Sequence, residues 1–270
     1  MSEFKLKNGM KLYYEDHGSG QPVIMMHGWT SSHEIYSAPV ELLKGKGRFI
    51  IYDHRGHSGS KEANKEHTTM ETLASDLNEI IEGLKLSDVT LLGWSMGSGV
   101  AMNYVRIYGC SALKQIILCD MTPKQINDDE WKLGLYRGNY TEKDMKREEG
   151  QKPLRLYQQF VVGAIPKLRK IPGFLLRPKL KKLLAKCDEG VISSLATSMK
   201  SQDNRDVVGM ITVPLTYFYP EPGSLFAPEL AEWYKSKAKV PFKSAAFPDS
   251  SHMFIAEHPE MFAKELEKLL

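Results

Sequence analysis

Several features that would set this 270-residue chain apart from ordinary globular proteins are missing or scarce. It has three cysteines, an odd number without metal-ligand spacing, so neither a disulfide framework nor a cysteine-bound metal is expected. No apolar run reaches about eighteen residues, so no transmembrane helix is predicted. The net charge of +3 is too small to indicate a nucleic-acid partner by itself. The composition favours a globular protein with reduced thiols.

The first residues contain neither the apolar core nor the cleavage site of a signal peptide. Together with the scarcity of cysteine, this predicts a cytoplasmic location. His27, His54 and His57 lie close together in the sequence, but no metal-ligand spacing joins them. We therefore expect them to be structural or to line the mouth of a site, and we expect no metal and no cofactor.

Short apolar runs alternate with segments of helical spacing along much of the chain. Continuous apolar runs are typical of strands that are covered on both faces. The Asn8-Gly9 pair between residues 4–7 and 10–14 predicts a hairpin with a two-residue turn. Alternation of strand and helix predicts a mostly parallel sheet with helices on both faces. The predicted strands are 22–26, 48–52, 89–94, 116–119, 213–218 and 242–247, and the predicted helices are 36–46, 68–84, 100–108, 228–237 and 259–270.

The alternation stops after Asp120. Residues 121–207 contain no convincing buried strand and are interrupted by prolines, as expected for several short helices. The sequence therefore predicts two units. Residues 1–120 and 208–270 form an α/β core, and residues 121–207 form a helical cap inserted into it.

One short motif carries most of the functional signal. Residues 93–97 (Gly-Trp-Ser-Met-Gly) follow the apolar run 89–92 and open a helix-like segment. This G-x-S-x-G pattern holds a serine nucleophile on a sharp turn between a strand and a helix. The turn strains the serine backbone, and a Cβ at Gly93 or Gly97 would collide with neighbouring backbone. The pattern predicts Ser95 as a nucleophile.

Four motifs in this order resemble the α/β-hydrolase superfamily. They are residues 26–29 (Met-His-Gly-Trp), 53–60 (Asp-His-Arg-Gly-His-Ser-Gly-Ser), 93–97 and 251–254 (Ser-His-Met-Phe). The resemblance covers the core on both sides of the cap. It implies a mostly parallel, eight-stranded α/β-hydrolase sheet with an inserted helical cap.

The resemblance also implies a mechanism. His252 would act as the base that accepts the proton of Ser95, because an unassisted hydroxyl is a poor nucleophile. The backbone N–H groups of Trp29 and Met96 would form the oxyanion hole. The implied activity is a serine esterase: hydrolysis of a carboxylic ester, with an apolar acyl or alkyl group, through an acyl-enzyme. A serine at this position argues against haloalkane dehalogenases and epoxide hydrolases, which resemble this chain but use aspartate there.

The third member of the triad is ambiguous in the sequence. Most of the family carries an aspartate after the strand that follows the cap, where this chain has Glu221 flanked by two prolines. Asp120 ends the strand just before the cap. Some lipases and haloalkane dehalogenases of the family, which this chain resembles here, have their triad acid after that strand. Both strand ends are expected beside the histidine loop. We favour Asp120 as the acid and keep Glu221 as the alternative.

The predicted cap is strongly basic in one part. Eight Lys and Arg residues and no Asp or Glu lie between Ala164 and Cys187. The simplest interpretation is a solvated helix face, and the other is a docking surface for an acidic carrier protein or an anionic membrane. Pimeloyl-carrier methyl esterases of the superfamily resemble such a design. The eight are Lys167, Arg169, Lys170, Arg177, Lys179, Lys181, Lys182 and Lys186.

Other activities use the same triad. Hydrolysis of lactones or C–C bonds and perhydrolysis stay open, as does a receptor of hydrolase fold that binds a small molecule and turns over slowly. The predicted apolar lining of the site is Phe160, Val161, Phe174, Leu195, Met199 and Leu225.

Overall fold

A single mixed sheet organises the chain, and a computed structural model describes residues 2–62 and 67–270 of it. The strands run in the order β1-β2-β4-β3-β5-β6-β7-β8. β1 and β2 are antiparallel to their neighbours, and the other strands pair in parallel. The strands are β1 Ser2–Lys5, β2 Lys11–Gly18, β3 Pro22–Met26, β4 Arg48–Tyr52, β5 Val89–Trp94, β6 Leu113–Cys119, β7 Leu215–Gly223 and β8 Phe242–Ser251. The eight-stranded, mostly parallel sheet of the prediction is confirmed.

Helices cover both faces of this sheet. Alternate residues of the buried strands point into two apolar cores, one on each face. No helix within the described ranges is long and apolar enough to cross a bilayer. The helices are α1 Ser37–Leu42, α2 Met70–Gly83, α3 Met96–Tyr108, α4 Glu142–Glu148, α5 Pro153–Ala164, α6 Gly173–Leu184, α7 Glu189–Ser201, α8 Leu230–Lys237, α9 Phe254–Glu257 and α10 Pro259–Glu267.

The first hairpin differs from the prediction of a two-residue turn. The Leu6 N–H donates to Met10 O at 2.8 Å, and the Gly9 N–H donates to Leu6 O at 2.9 Å, so the loop comprises residues 7–9. Gly9 has φ of 86°, the left-handed conformation that closes a three-residue hairpin loop. This longer loop places Leu6 in the main core, where it is almost fully buried.

Four α-helices, α4 to α7, lie between β6 and β7, in residues 121–207, which we call the insert. Residues 121–207 are all described and contribute no strand to the sheet. Tyr157 and Leu180 belong to an apolar cluster of the insert. The Asp188 N–H donates to Gly56 O at 2.8 Å, and this bond ties the insert to the loop after β4. The division into core and cap stays a prediction.

Candidate active site

Ser95 lies on a sharp turn between β5 and α3. Its φ of 54° and ψ of −120° are strained for a residue with a side chain. A Cβ on Gly93 would overlap the backbone of Gly97, and a Cβ on Gly97 would overlap the carbonyl of Met26. Both glycines are therefore required by close backbone approach. The turn presents the Ser95 side chain at the carboxyl edge of the sheet.

The side chain of Ser98 stabilises this turn from inside the helix. Its Oγ donates to Gly93 O at 2.5 Å and accepts from the Cys119 N–H at 3.0 Å. The Ser95 N–H donates to Cys119 O at 2.8 Å. The strained turn is thus fixed by bonds to the neighbouring strand β6.

His252 follows β8 and is almost fully buried beside Ser95. Its Nδ1 lies 2.6 Å from Asp120 Oδ2. Two hydrogen bonds fix the backbone of the histidine: the Trp94 indole Nε1–H donates to His252 O at 2.9 Å, and the His252 N–H donates to Ala164 O at 3.2 Å. The ring is therefore held by β5, by β6 and by the end of helix α5.

The second nitrogen of this ring is free. His252 Nε2 is buried and forms no hydrogen bond with any residue of 2–62 or 67–270. Ser95 and His252 line the same cavity, but the hydroxyl and Nε2 are not hydrogen-bonded. Such bonds are often long without a substrate and shorten in the complex.

The two candidate acids have different surroundings. Asp120 follows β6 with φ of 43° and is fully buried. Its Oδ1 accepts a bond of 2.6 Å from Ser224 Oγ, and its Oδ2 faces His252. Glu221 lies on β7 with its side chain exposed. The structure thus brings Asp120 together with His252 and leaves Glu221 apart from them.

Ser224 was not foreseen from the sequence. It lies one residue after β7 and also accepts the Phe226 N–H at 2.9 Å. A serine after a strand is ordinary turn chemistry, so no pattern distinguishes it. Its contact with Asp120 appears only when the ends of β6 and β7 are placed side by side.

Met96 follows Ser95 in the chain, and Trp29 lines the same two cavities as Ser95. Met96 is the first residue of α3, so its N–H has no acceptor within that helix. Trp29 follows Gly28, where an added Cβ would be 3.1 Å from Ser95 Cβ. The Trp29 indole donates to Ile192 O at 2.9 Å and so joins this turn to α7. Both backbones are beside Ser95, as an oxyanion hole requires.

Two cavities meet at Ser95. The larger has a volume of about 390 Å³ and is bounded by the turn after β3, by α5 and by His252. The smaller has about 60 Å³ and is lined mostly by apolar and aromatic side chains of the insert and of the loop after β7, together with the ion pair of Lys200 and Glu148. Ser95, Trp29 and Phe160 line both cavities. An ester bound at Ser95 has separate space for its two halves.

The predicted apolar lining is partly wrong. Val161 lines the larger cavity, whereas Met199 and Leu225 line the smaller one. Phe174 is instead 70% exposed on the outside of the insert. Leu195 is fully buried in the main core and lines neither cavity. The residue types identified these side chains as apolar, but the sequence did not show the direction in which each one faces.

The three clustered histidines support the loops around the site and do not line either cavity. His27 Nε2 accepts the His54 N–H at 3.0 Å, and His57 Nε2 accepts the Thr30 N–H at 3.2 Å. Both ring nitrogens of His54 are buried without a described partner. Burial lowers the pKa of His54 to about 3 and also lowers the pKa values of His27 and His57. Within the described ranges, no group of such side chains is arranged to hold a metal ion.

The residues after β4 also have structural contacts. Asp53 accepts the N–H groups of His33 at 2.7 Å and of Gly59 at 2.9 Å. Arg55 forms a buried, two-bond ion pair with Asp76 of α2. Burial raises the pKa of Asp76, although the charge of Arg55 opposes this shift. These contacts fix the loop that carries the histidine cluster.

The arrangement around Ser95 has a definite chemical capacity. A carboxylate can only accept, so the bond to Asp120 places a proton on His252 Nδ1 and leaves a lone pair on Nε2. His252 and the strained Ser95 line the same cavity. Preorganised amides beside the same serine can stabilise negative charge on a substrate oxygen.

The site and the sheet define the class of protein. The family model described as "alpha/beta hydrolase fold" matches residues 21–259. The chain belongs to the α/β-hydrolase family, as its motifs predicted.

Known proteins of several activities resemble the chain. An esterase structure from Exiguobacterium antarcticum shares 28% identity, covers 99% of this chain and 98% of its own, and superimposes with a TM-score of 0.83. A pimeloyl-[acyl-carrier protein] methyl ester esterase of Nitrosospira multiformis is 22% identical over 94% of this chain and 95% of its own. The non-heme chloroperoxidase CPO-A1 of Kitasatospora aureofaciens is 33% identical over 118 residues, which is 43% of this chain and 42% of that protein. The chain therefore spans less than half the length of that relative.

Proposed function

We propose that the protein is a serine hydrolase of carboxylic esters, with Ser95 as nucleophile, His252 as base and Asp120 as the orienting acid. The observation that carries this proposal is the 2.6 Å contact of His252 Nδ1 with Asp120, beside a cavity that both His252 and Ser95 line. It fixes the tautomer that a serine needs in its base. The near full-length similarity to an esterase structure supports the same activity.

The reaction has two steps. Ser95 Oγ attacks the ester carbonyl carbon while its proton passes to His252 Nε2, and the C–O bond to the alcohol breaks as that proton moves to the leaving oxygen. Water then attacks the acyl-enzyme, with the same nitrogen accepting and returning a proton. Asp120 stabilises the imidazolium in both steps without taking its proton.

The Trp29 and Met96 N–H groups bind the carbonyl oxygen as it becomes negative. Loss of one such donor typically costs about 3–4 kcal/mol of transition-state stabilisation. We place a short apolar acyl group in the smaller cavity, which is lined by Met199 and Leu225. The alcohol half occupies the larger cavity.

A chain-length series of p-nitrophenyl esters tests this proposal. Wild type should hydrolyse acetate and butanoate esters with a burst of p-nitrophenol, and Ser95→Ala should lose both turnover and burst. A single burst without turnover would instead favour a receptor of hydrolase fold. Equal turnover by wild type and Ser95→Ala would overturn the proposal.

A methyl ester carried on an acidic acyl-carrier protein is the second candidate substrate. The relative from Nitrosospira multiformis supports it, and so does the exposed basic part of the insert. Carrier-linked ester should then be hydrolysed faster than the same free ester, with the advantage lost at high salt. Lactone opening, C–C bond hydrolysis and perhydrolysis would use the same three side chains, and these activities stay predictions.

A further inference from the structure

An unusual surface lies on the outside of the insert, around helix α6. One side of α6 packs inward through Leu176, Leu180 and Leu184. By helical spacing, Phe174 and Leu175 project from the other side, and they are 70% and 59% exposed. Neighbouring large apolar side chains that are this exposed are typical of an interaction site.

Basic residues flank Phe174 and Leu175 in the sequence. All eight Lys and Arg residues between Ala164 and Cys187 are exposed. Lys186 pairs with Glu34 at 3.1 Å, and the other seven form no ion pair with a described residue. Elsewhere many lysines do have such partners, as Lys46 does with Glu267 at 2.8 Å. The positive charge of this region is therefore not neutralised within the described chain.

We infer that this surface, which we call the α6 surface, docks onto an anionic lipid bilayer. Its members are Lys167, Arg169, Lys170, Ile171, Phe174, Leu175, Lys179, Lys181 and Lys182. A bilayer with anionic headgroups offers a negative plane for the lysines and an apolar layer for Phe174 and Leu175. No acidic residue lies between Ala164 and Cys187 to oppose the approach. The exposed aromatic and leucine favour lipid over an acidic protein, which would be recognised by charge.

Docking would also position the candidate active site. Leu183 and Lys186, one at the end of α6 and the other just beyond it, line the cavity that contains Ser95. They lie about 14–18 Å from Phe174 along the helix direction, at 1.5 Å per residue. Apolar esters dissolved in the lipid would therefore meet the cavity close to the interface. The docking itself does not depend on the chemistry at Ser95.

Vesicle sedimentation tests the inference. Wild type and Ser95→Ala are mixed with vesicles of phosphatidylcholine alone or with about one-third phosphatidylglycerol, at low and high salt. Both proteins should bind the anionic vesicles only, and salt should weaken the binding. Use of Ser95→Ala separates this result from the hydrolase proposal, because its docking should persist without turnover.

Matched variants identify the surface. The charge variant Lys179→Glu, Lys181→Glu, Lys182→Glu should lose binding roughly a hundredfold or more. The apolar variant Phe174→Ser, Leu175→Ser should lose roughly tenfold or more. The controls are Lys237→Glu, Lys239→Glu, Lys243→Glu, which change the same charge, and Leu42→Ser, Ile107→Ser, which remove other exposed apolar side chains. Both controls should bind as wild type does.

Three outcomes would overturn the inference. They are no preference for anionic vesicles, equal loss in the control variants, and an apolar variant that binds as wild type does. In the last case the surface acts by charge alone. Stronger hydrolysis of a carrier-linked ester, lost in the charge variant, would then identify an acidic carrier protein as the partner. Circular dichroism spectra and urea unfolding of each variant verify that it is folded, whether or not it hydrolyses esters.

Discussion

The two nitrogens of His252 have opposite environments, and this asymmetry underlies the proposed chemistry. Nδ1 contacts Asp120 at 2.6 Å, whereas Nε2 is buried without a described partner. Ser224 donates to the other oxygen of the same carboxylate at 2.6 Å. The acid therefore has a fixed orientation before any substrate arrives.

The roles of the two candidate acids lead to a direct prediction. Asp120→Asn should lower kcat for p-nitrophenyl butanoate by roughly 10⁴-fold, because an amide N–H facing His252 favours the wrong tautomer. Glu221→Gln, an exposed change of the same kind, should keep most of the activity. Steady-state kinetics on both variants measure the difference. The reverse ranking would exclude Asp120 as the orienting acid.

Single residues also show where sequence reasoning stops. Ser95 and His252 belong to local motifs, so their neighbours in the chain identify them. The sequence favoured Asp120 over Glu221 without excluding Glu221, because the choice depends on which strand end faces the histidine. Ser224 contacts Asp120 across 104 positions of sequence, and a lone serine in a turn carries no signal of such a contact.

At the scale of the element, the β5–α3 turn depends on backbone contacts. Gly97→Ala should lower the free energy of unfolding by about 1–3 kcal/mol or more, because its Cβ would overlap Met26 backbone. Gly209→Ala is the control, since its Cβ would be 3.8 Å from the nearest atom, in the side chain of Lys239. Urea unfolding of the two variants measures the change. Equal stability of both would contradict the close packing of this turn.

The smaller cavity leads to a prediction on specificity. Ala196 of α7 lines that cavity and Ala38 lines the larger one. Ala196→Leu should lower kcat/KM for butanoate relative to acetate roughly tenfold or more, because the added carbons fill the acyl space. Ala38→Leu should leave this ratio unchanged. A shift of the ratio by Ala38→Leu alone would place the acyl group in the larger cavity.

Element boundaries were predictable where the pattern was strong. Helix α2 was expected at 68–84 and runs from Met70 to Gly83, and Thr69 caps it by accepting the Thr72 N–H. The final helix, expected at 259–270, is preceded by the short α9 and ends at Glu267. The prediction for the first turn was wrong, because an Asn-Gly pair can belong to a loop of two residues or of three. In the structure the loop has three residues and Leu6 is buried in the core.

For the molecule as a whole, the buried histidines make stability depend on pH. Burial lowers the pKa of His54 to about 3, against an ordinary value of 6.5 that applies to the unfolded chain. Above pH 6.5, His54 is mostly neutral in both the folded and the unfolded protein. Below it the unfolded chain binds a proton that the folded protein does not, so stability falls as the pH falls, by at most about 1.4 kcal/mol per pH unit for each such histidine.

The test compares His54→Phe with wild type. The variant removes this titration, so its urea midpoint should fall less steeply than that of wild type between pH 6.5 and pH 4.5. His67→Asn is the control, because His67 is exposed and its ring contacts the uncharged hydroxyl of Ser194. Identical pH dependence of His54→Phe and wild type would show that folding does not lower the pKa of His54.

The overall architecture was largely readable from the sequence, because strand and helix alternation constrains a sheet to few topologies. The sheet was confirmed, and the family model matches residues 21–259, which contain strands β3 to β8. The cap boundaries and the cytoplasmic location stay predictions. How the insert packs on the core depends on contacts such as Trp29 with Ile192, which join distant residues and leave no periodic pattern.

Covalent labelling of Ser95 tests the central claim most directly. Diethyl p-nitrophenyl phosphate should transfer its phosphoryl group to Ser95 Oγ and release one equivalent of p-nitrophenol. Intact-mass and peptide mass spectrometry should then find one adduct, on the peptide with Ser95, and esterase activity should fall in proportion to labelling. Undiminished activity in fully labelled protein, or an equal adduct on Ser95→Ala, would contradict the account.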